Sequence, residues 1–288
     1  MNDMQKYIEE YRNSLKHPEA EEILDLMFFR PVAFFLVKGV YRLPITPNQI
    51  SFLSLAAGLA SALFLSIGEI DYYRIGALLL LGANILDCMD GQLARLQGSG
   101  TPLGRIIDGV ADYVTGIAVF IALAIGLENT GHTVWFLVVA SGICTIVHGM
   151  VFDYYQGEFI KSRRGQGNIT ADDVKIYSEK NTNAQNYIGG RTLLARIYLS
   201  YLKIQEKVLV LFPVPEYNKE AFQKYYKLMI RYWSFLGPST NHSMLIIFCF
   251  LGIPIYYLYI VLIGSNFWFA VCLVRQYMFS GLRGKAVK

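Results

Sequence analysis

The chain has 288 residues, 54% of them hydrophobic and 14% aromatic, with a mean hydropathy of +0.36. That profile belongs to a protein whose solvent is largely lipid, and it excludes an ordinary water-soluble domain. A net charge of only +4 without any base-reading motif excludes a nucleic-acid binder.

Residues 1–47 read as a cytoplasmic N-terminal region. The first 25 residues are polar and acidic and lack the apolar stretch of a cleavable signal, so none is expected. Between 20 and 43, apolar blocks alternate with Arg30, Lys38 and Arg42. This stretch is too charged to span and predicts an amphipathic helix in the membrane interface, either a platform beside a site or a simple anchor. Thr46-Pro47 then reads as a helix start, with Thr46 as cap and Pro47 in the first turn.

From there hydropathy predicts six spans, near 48–68, 72–95, 103–127, 132–160, 226–252 and 254–281. Spans 1–4 fill a region 48–160, spans 5–6 and the tail a region 226–288, and a long cytoplasmic insert, 161–225, separates them. Gly237-Pro238 and Asn241-His242 interrupt the fifth, so it is expected either to kink or to begin its membrane part only at Ser243. The fold expected is an all-α integral membrane protein, a six-helix transmembrane bundle with an N-terminal interfacial helix. With six spans, every Lys and Arg except Arg74 falls on one side, which puts both termini and the insert in the cytoplasm.

Four carboxylates inside these spans carry the chemistry. Asp87, Asp90, Gly91, Ala94 and Arg95 share one face of the second span, at i, i+3, i+4, i+7 and i+8. Gly104, Asp108 and Asp112 repeat every fourth residue on the third. A short Gly/Ser/Pro turn between antiparallel helices brings the two faces together. Acids gathered there repel one another unless cations sit between them, and oxygen ligands suit a hard divalent ion. One buried Asp is commonly a satisfied hydrogen-bonding group; two facing stripes of them beside an Arg are not.

The run D-x2-D-G-x2-A-R, eight residues, then G-x3-D-x3-D resembles the signature of the CDP-alcohol phosphotransferase family at every fixed position. The resemblance implies a membrane enzyme of phospholipid biosynthesis that moves a substituted phosphate from a CDP-linked alcohol to an acceptor hydroxyl and releases CMP. It implies a two-metal site of Mg²⁺ or Mn²⁺ on Asp87, Asp90, Asp108 and Asp112, with Asp112 also the base. It places Asp87, Gly91, Ala94, Arg95, Gly104 and Asp108 around the cytidine diphosphate. CDP-diacylglycerol is the favoured donor and a small polar alcohol the acceptor; CDP-choline, CDP-ethanolamine or CDP-inositol is the alternative donor. Members of the family often pair as homodimers. The active site would open to the cytoplasm. A divalent-cation transporter would use the same acids, but Arg95 beside them opposes cation passage.

Beyond the motif, Lys161, Arg163 and Arg164 close the fourth span and would hold either an acceptor phosphate or anionic lipid. Residues 192–212 predict a basic amphipathic helix on the membrane surface. Asp153 is a further intramembrane acid, an acceptor contact or the partner of an Arg, while His148 reads as an interhelical hydrogen bond. The four cysteines (Cys88, Cys144, Cys249 and Cys272) lack metal-ligand spacing and read as packing residues.

Overall fold

A computed structural model describes residues 3–100, 102–164 and 219–283, and the regular elements among them are all helical. Helix α1, Asp3–Ser14, is a polar helix laid on α2. Tyr7 and Tyr11 meet Phe34 edge-on at 5.1 and 5.3 Å, the geometry that aromatic quadrupoles prefer. A π turn, Asp25–Phe29, leads into α2, Arg30–Val40, inside the segment expected to be an interfacial helix. One face of that segment is not at any surface: Ala33 and Val37 are packed against Ile50, Cys88, Met89 and Leu93.

Four long helices follow: α3 Pro47–Leu65, α4 Ile70–Gln97, α5 Pro102–Asn129 and α6 Trp135–Arg164. Helix α3 starts where the sequence indicates. Thr46 is extended (φ −95°, ψ 149°), Pro47 sits in the first turn, and the Thr46 N–H donates to Gln49 Oε1 at 2.9 Å. Helix α4 stops at Gly98, which adopts φ +62°, open to glycine at little cost. Ser99 N–H then bonds the Ala94 carbonyl at 3.0 Å and Gly98 N–H that of Arg95 at 3.3 Å, the Schellman pattern that reverses the chain toward α5.

The second half holds α7 Lys219–Trp233, α8 Pro238–Phe250, α9 Pro254–Tyr259 and α10 Asn266–Arg283, the last two joined by π-helical Ile260–Ser265. Here the predicted fifth span is not one continuous helix. Among the described residues, five helices are long and apolar enough to cross a membrane: Pro47–Leu65, Ile70–Gln97, Asp108–Asn129, Trp135–Gly157 and Pro254–Met278. The predicted fifth span is broken into α7, a 3-10 turn Ser234–Leu236 and α8. Pro238 disfavours a helical residue before it, so Gly237 is extended (φ −70°, ψ 162°) and a new helix begins. Helix α8, at 13 residues, rises about 20 Å, short of the ~30 Å hydrocarbon layer.

Besides that cluster around Ala33 and Val37, two larger buried clusters hold the bundle. One joins Leu65, Tyr73, Leu80, Leu123, Leu245 and Tyr257 across α3, α4, α5, α8 and α9. The other joins Tyr155, Tyr226, Ile230 and Trp233 of α6 and α7 with Cys272 of α10. Lipid tails are as apolar as these side chains, so close packing rather than escape from water holds such interfaces. The outward faces present Phe52, Leu63, Phe136, Ile263 and Phe267, as a multi-pass membrane protein requires. All four cysteines are free, and Cys88, Cys249 and Cys272 are buried.

Candidate functional site

Because α4 ends in the Gly98 reversal, its last turns lie beside the first turns of α5, and the two acidic faces meet. One oxygen each from Asp87, Asp90 and Asp108 lies within 4.8 Å of the others. Oxygens at that separation fit around one hard cation bound at roughly 2.0–2.6 Å, and without a cation three such carboxylates repel. Asp90, the most buried of them, accepts a hydrogen bond from the Ser51 hydroxyl of α3. Such an outer partner orients a ligating carboxylate. The donor set, three carboxylates, fits a hard divalent cation.

Asp112, one turn along α5, is exposed to a cavity of about 280 Å³ that Asp87 also lines. Gly91 and Ala94 lie on the same α4 face, half-buried. The Arg95 guanidinium folds back across Gly91, where a Cβ would stand 3.3 Å from Nη1. Its Nε donates to the Ser14 carbonyl at the end of α1, while Nη2 is buried without a partner, a donor left for a ligand. Gln92 donates to Ser14 Oγ at 3.1 Å, so α1 docks on this part of the motif through both residues. Gly104 falls in the first turns of α5. Helix α6 carries Lys161, Arg163 and Arg164 at its end, but their side chains lie outside the described residues, as does the segment 192–212.

The cavity's other wall is the N-terminal segment, for which the sequence offers either a platform beside a site or a simple anchor. Lys16, His17, Glu21, Glu22, Asp25 and Arg30 line it, facing Asp153 and Gln156 of α6. Arg30 Nε donates to Glu21 Oε2 at 2.9 Å and Nη1 to the Cys88 carbonyl of α4 at 3.4 Å. Glu21 is held in turn by the Lys16 N–H at 3.0 Å, and its carbonyl by Arg231 of α7 at 3.0 Å. Glu22 accepts from Ser239 N–H and Thr240 N–H, both at 3.1 Å, and from Thr240 Oγ1 at 3.2 Å, so it caps α8 from across the fold. Gln156 donates to the Ala20 carbonyl at 2.8 Å. The segment therefore ties α4, α6, α7 and α8 together. The signal for it was a run of acids, Glu21, Glu22 and Asp25, set in an apolar stretch with Arg30-Pro31.

The electrostatics of this wall follow from burial. Burial, reinforced by the charge of Asp25, pushes Glu22 up to about 8. Burial also raises Asp25, against the pull of Arg30. For Arg30, burial works against the charge, but its neighbours, Glu21, Asp25 and Asp87 among them, outweigh it and raise the pKa. Asp153 reaches the cavity; His148 instead shares a hydrogen bond with Asn266 at 3.2 Å, the interhelical role expected of it. The larger cavity, about 410 Å³, lies among the loops around Gly68, Thr130 and Gly252 and has no carboxylate in its lining, so it is not where the chemistry gathers.

The family model described as CDP-alcohol phosphatidyltransferase matches residues 44–188, a stretch that contains all four motif acids. The phosphatidylinositol phosphate synthase of Mycolicibacterium smegmatis is 34% identical over 146 residues, 49% of this chain and 60% of that protein. That of Corynebacterium glutamicum is 31% identical over 142 residues, 49% of this chain and 59% of its own. A CDP-diacylglycerol--serine O-phosphatidyltransferase of Mycobacterium leprae is 32% identical over 108 residues, covering 37% of this chain and 35% of that protein. The chain spans about three-fifths of the length of the first two relatives.

Proposed function

Because the chain belongs to the CDP-alcohol phosphatidyltransferase family, we propose that it transfers a phosphatidyl group from CDP-diacylglycerol to a small polar alcohol and releases CMP. The observation that carries this reading is the convergence of Asp87, Asp90 and Asp108 beside a cavity that also holds Asp112. The names of the relatives, two of them phosphatidylinositol phosphate synthases and one a CDP-diacylglycerol--serine O-phosphatidyltransferase, favour this donor.

Asp87, Asp90 and Asp108 would hold Mg²⁺ or Mn²⁺, with Asp112 completing a two-ion site. Bound there, the ions would neutralise diphosphate charge and polarise the phosphoryl oxygens. Gly91, Ala94, Arg95 and Gly104 would surround the cytidine diphosphate. The unpartnered Arg95 Nη2 and the absence of bulk at Gly91 both support a phosphate there. Asp112 faces the cavity and would take the proton of the acceptor hydroxyl. Lys161, Arg163 and Arg164 would meet the acceptor or lipid phosphate at the end of α6.

The broken segment acts as a sixth crossing. Helix α8 begins at the cavity, where Glu22 caps it, and ends where Arg74 Nε of α4's first turns donates to the Phe250 carbonyl at 3.4 Å. Helix α7 would complete the passage. With six crossings, the distribution of Lys and Arg supports a cytoplasmic position for both termini, the insert and the acidic site.

The test is CMP release by detergent-purified protein with Mg²⁺ or Mn²⁺. CDP-diacylglycerol is offered with inositol phosphate, inositol, glycerol phosphate, serine, ethanolamine and choline in parallel. Release with one alcohol, lost in Asp112→Asn, supports the reading. Consumption of CDP-choline, CDP-ethanolamine or CDP-inositol instead would replace the donor. Silence with every donor would remove the enzyme.

A further inference from the structure

Arg30 is a cation at the reacting centre that the family motif does not contain. Burying a guanidinium is unfavourable unless its donors are matched, so where each donor goes is informative. Nε is taken by Glu21 at 2.9 Å and Nη1 by the Cys88 carbonyl at 3.4 Å. Among the described residues nothing bonds Nη2, and Arg30 lines the same 280 Å³ cavity as Asp87 and Asp112. The fork is also pre-oriented. Glu21 is 4% exposed and pinned by the Lys16 N–H, and the Cys88 carbonyl belongs to the helix that carries Asp87 and Asp90. A guanidinium held on two sides in the wall of a cavity is arranged to meet a planar or tetrahedral oxyanion.

The proposed function, on which this inference rests, puts the substituted phosphorus in that cavity, between the Asp87 cluster and Asp112. In the step, the acceptor oxygen forms a bond to the phosphatidyl phosphorus. The bond from that phosphorus to the bridging oxygen breaks, its electron pair leaves with CMP, and the acceptor's proton passes to Asp112. Negative charge spreads over the two non-bridging oxygens as this happens, and fixed donors aimed at them lower the barrier. We propose that Arg30 is a further catalytic residue, donating from Nη2 to a non-bridging oxygen of the transferred phosphate.

The experiment compares full-length wild type, Arg30→Lys and Arg30→Gln in detergent. It reads kcat, the KM for CDP-diacylglycerol, Mg²⁺-dependent binding of CMP by calorimetry, and thermal unfolding. Lysine keeps the charge and can keep the Glu21 pair, but loses the fork. The expected result is a fall in kcat of about 100-fold in both variants, the size seen when one such donor is removed. Donor KM and CMP affinity should stay within about threefold. If Arg30→Gln does not fold, Arg30→Lys decides alone. A lysine variant with more than half the wild-type kcat would overturn the proposal, as would a rise in KM at unchanged kcat. A wild type that releases no CMP from any donor would overturn the proposed function first and this inference with it.

Discussion

Gly237→Ala tests the joint that breaks the fifth predicted span. The backbone there (φ −70°, ψ 162°) suits alanine, so the substitution brings no conformational strain of its own. Space is the obstacle: a Cβ at 237 would overlap the Glu22 carboxyl carbon and Oε2 and stand 2.5 Å from Oε1. Glu22 is 4% exposed, so its carboxyl has little room to retreat. Moving it clear of the added methyl breaks its bonds to Ser239 N–H, Thr240 N–H and Thr240 Oγ1, which stand at 3.1, 3.1 and 3.2 Å. At about 1 kcal/mol net for each, the loss is about 3 kcal/mol, a large part of a typical folding free energy. Equilibrium unfolding of purified protein in mixed micelles would measure it, alongside Glu22→Ala and the double variant. Truncating Glu22 removes the atoms that the added methyl strikes, so the double variant should be no less stable than Glu22→Ala alone. Additive losses, or a Gly237→Ala loss below about 0.5 kcal/mol, the scatter of ordinary surface changes, would refute the reasoning.

Three other outcomes are expected. Asp112→Asn should abolish turnover while Mg²⁺-dependent CMP binding survives, whereas Asp87→Asn or Asp108→Asn should weaken that binding itself; full activity in either of the latter would remove the metal assignment. Ser51→Ala deletes the hydroxyl that orients Asp90 and should raise the Mg²⁺ concentration for half-maximal CMP release by about 10-fold; an unchanged Mg²⁺ titration would show that Asp90 needs no such support. Glu22 stands at about 8 in the fold against an ordinary 4.5, so the folded state favours its protonated form. Its contribution to stability is full below pH 4.5 and lost as pH rises through 8. The unfolding temperature should fall across that window, and Glu22→Gln should flatten the fall; an identical slope in the variant would assign the titration elsewhere.

The acidic site was legible because it is made of local relations. Helical spacing alone sets Asp87, Asp90, Gly91, Ala94 and Arg95 on one face, and the Gly98 reversal folds the Asp108 face back onto it. The start of α3 at Thr46-Pro47 was legible for the same reason. The break near 237 was half-legible: Gly237-Pro238 marks an interruption, but only packing shows two helices and a 3-10 turn in place of one kinked span.

The wall opposite the motif was legible only as a choice between a platform beside a site and a simple anchor. Read along the chain, Glu21, Glu22, Asp25 and Arg30 are charges in an apolar stretch, and interfacial exposure is their natural reading. In the fold they are buried or nearly so, and two of them find partners far away: Arg30 the Cys88 carbonyl, Glu22 the first N–H groups of α8. The sequence by itself determined the lipid-bathed class of the protein, the two acidic faces and their turn, since these depend on hydropathy and on periods of a few residues. Tertiary structure alone decided that the N-terminal segment closes the cavity, because a buried charge is tolerated only where a distant group meets it, and no local pattern names that group.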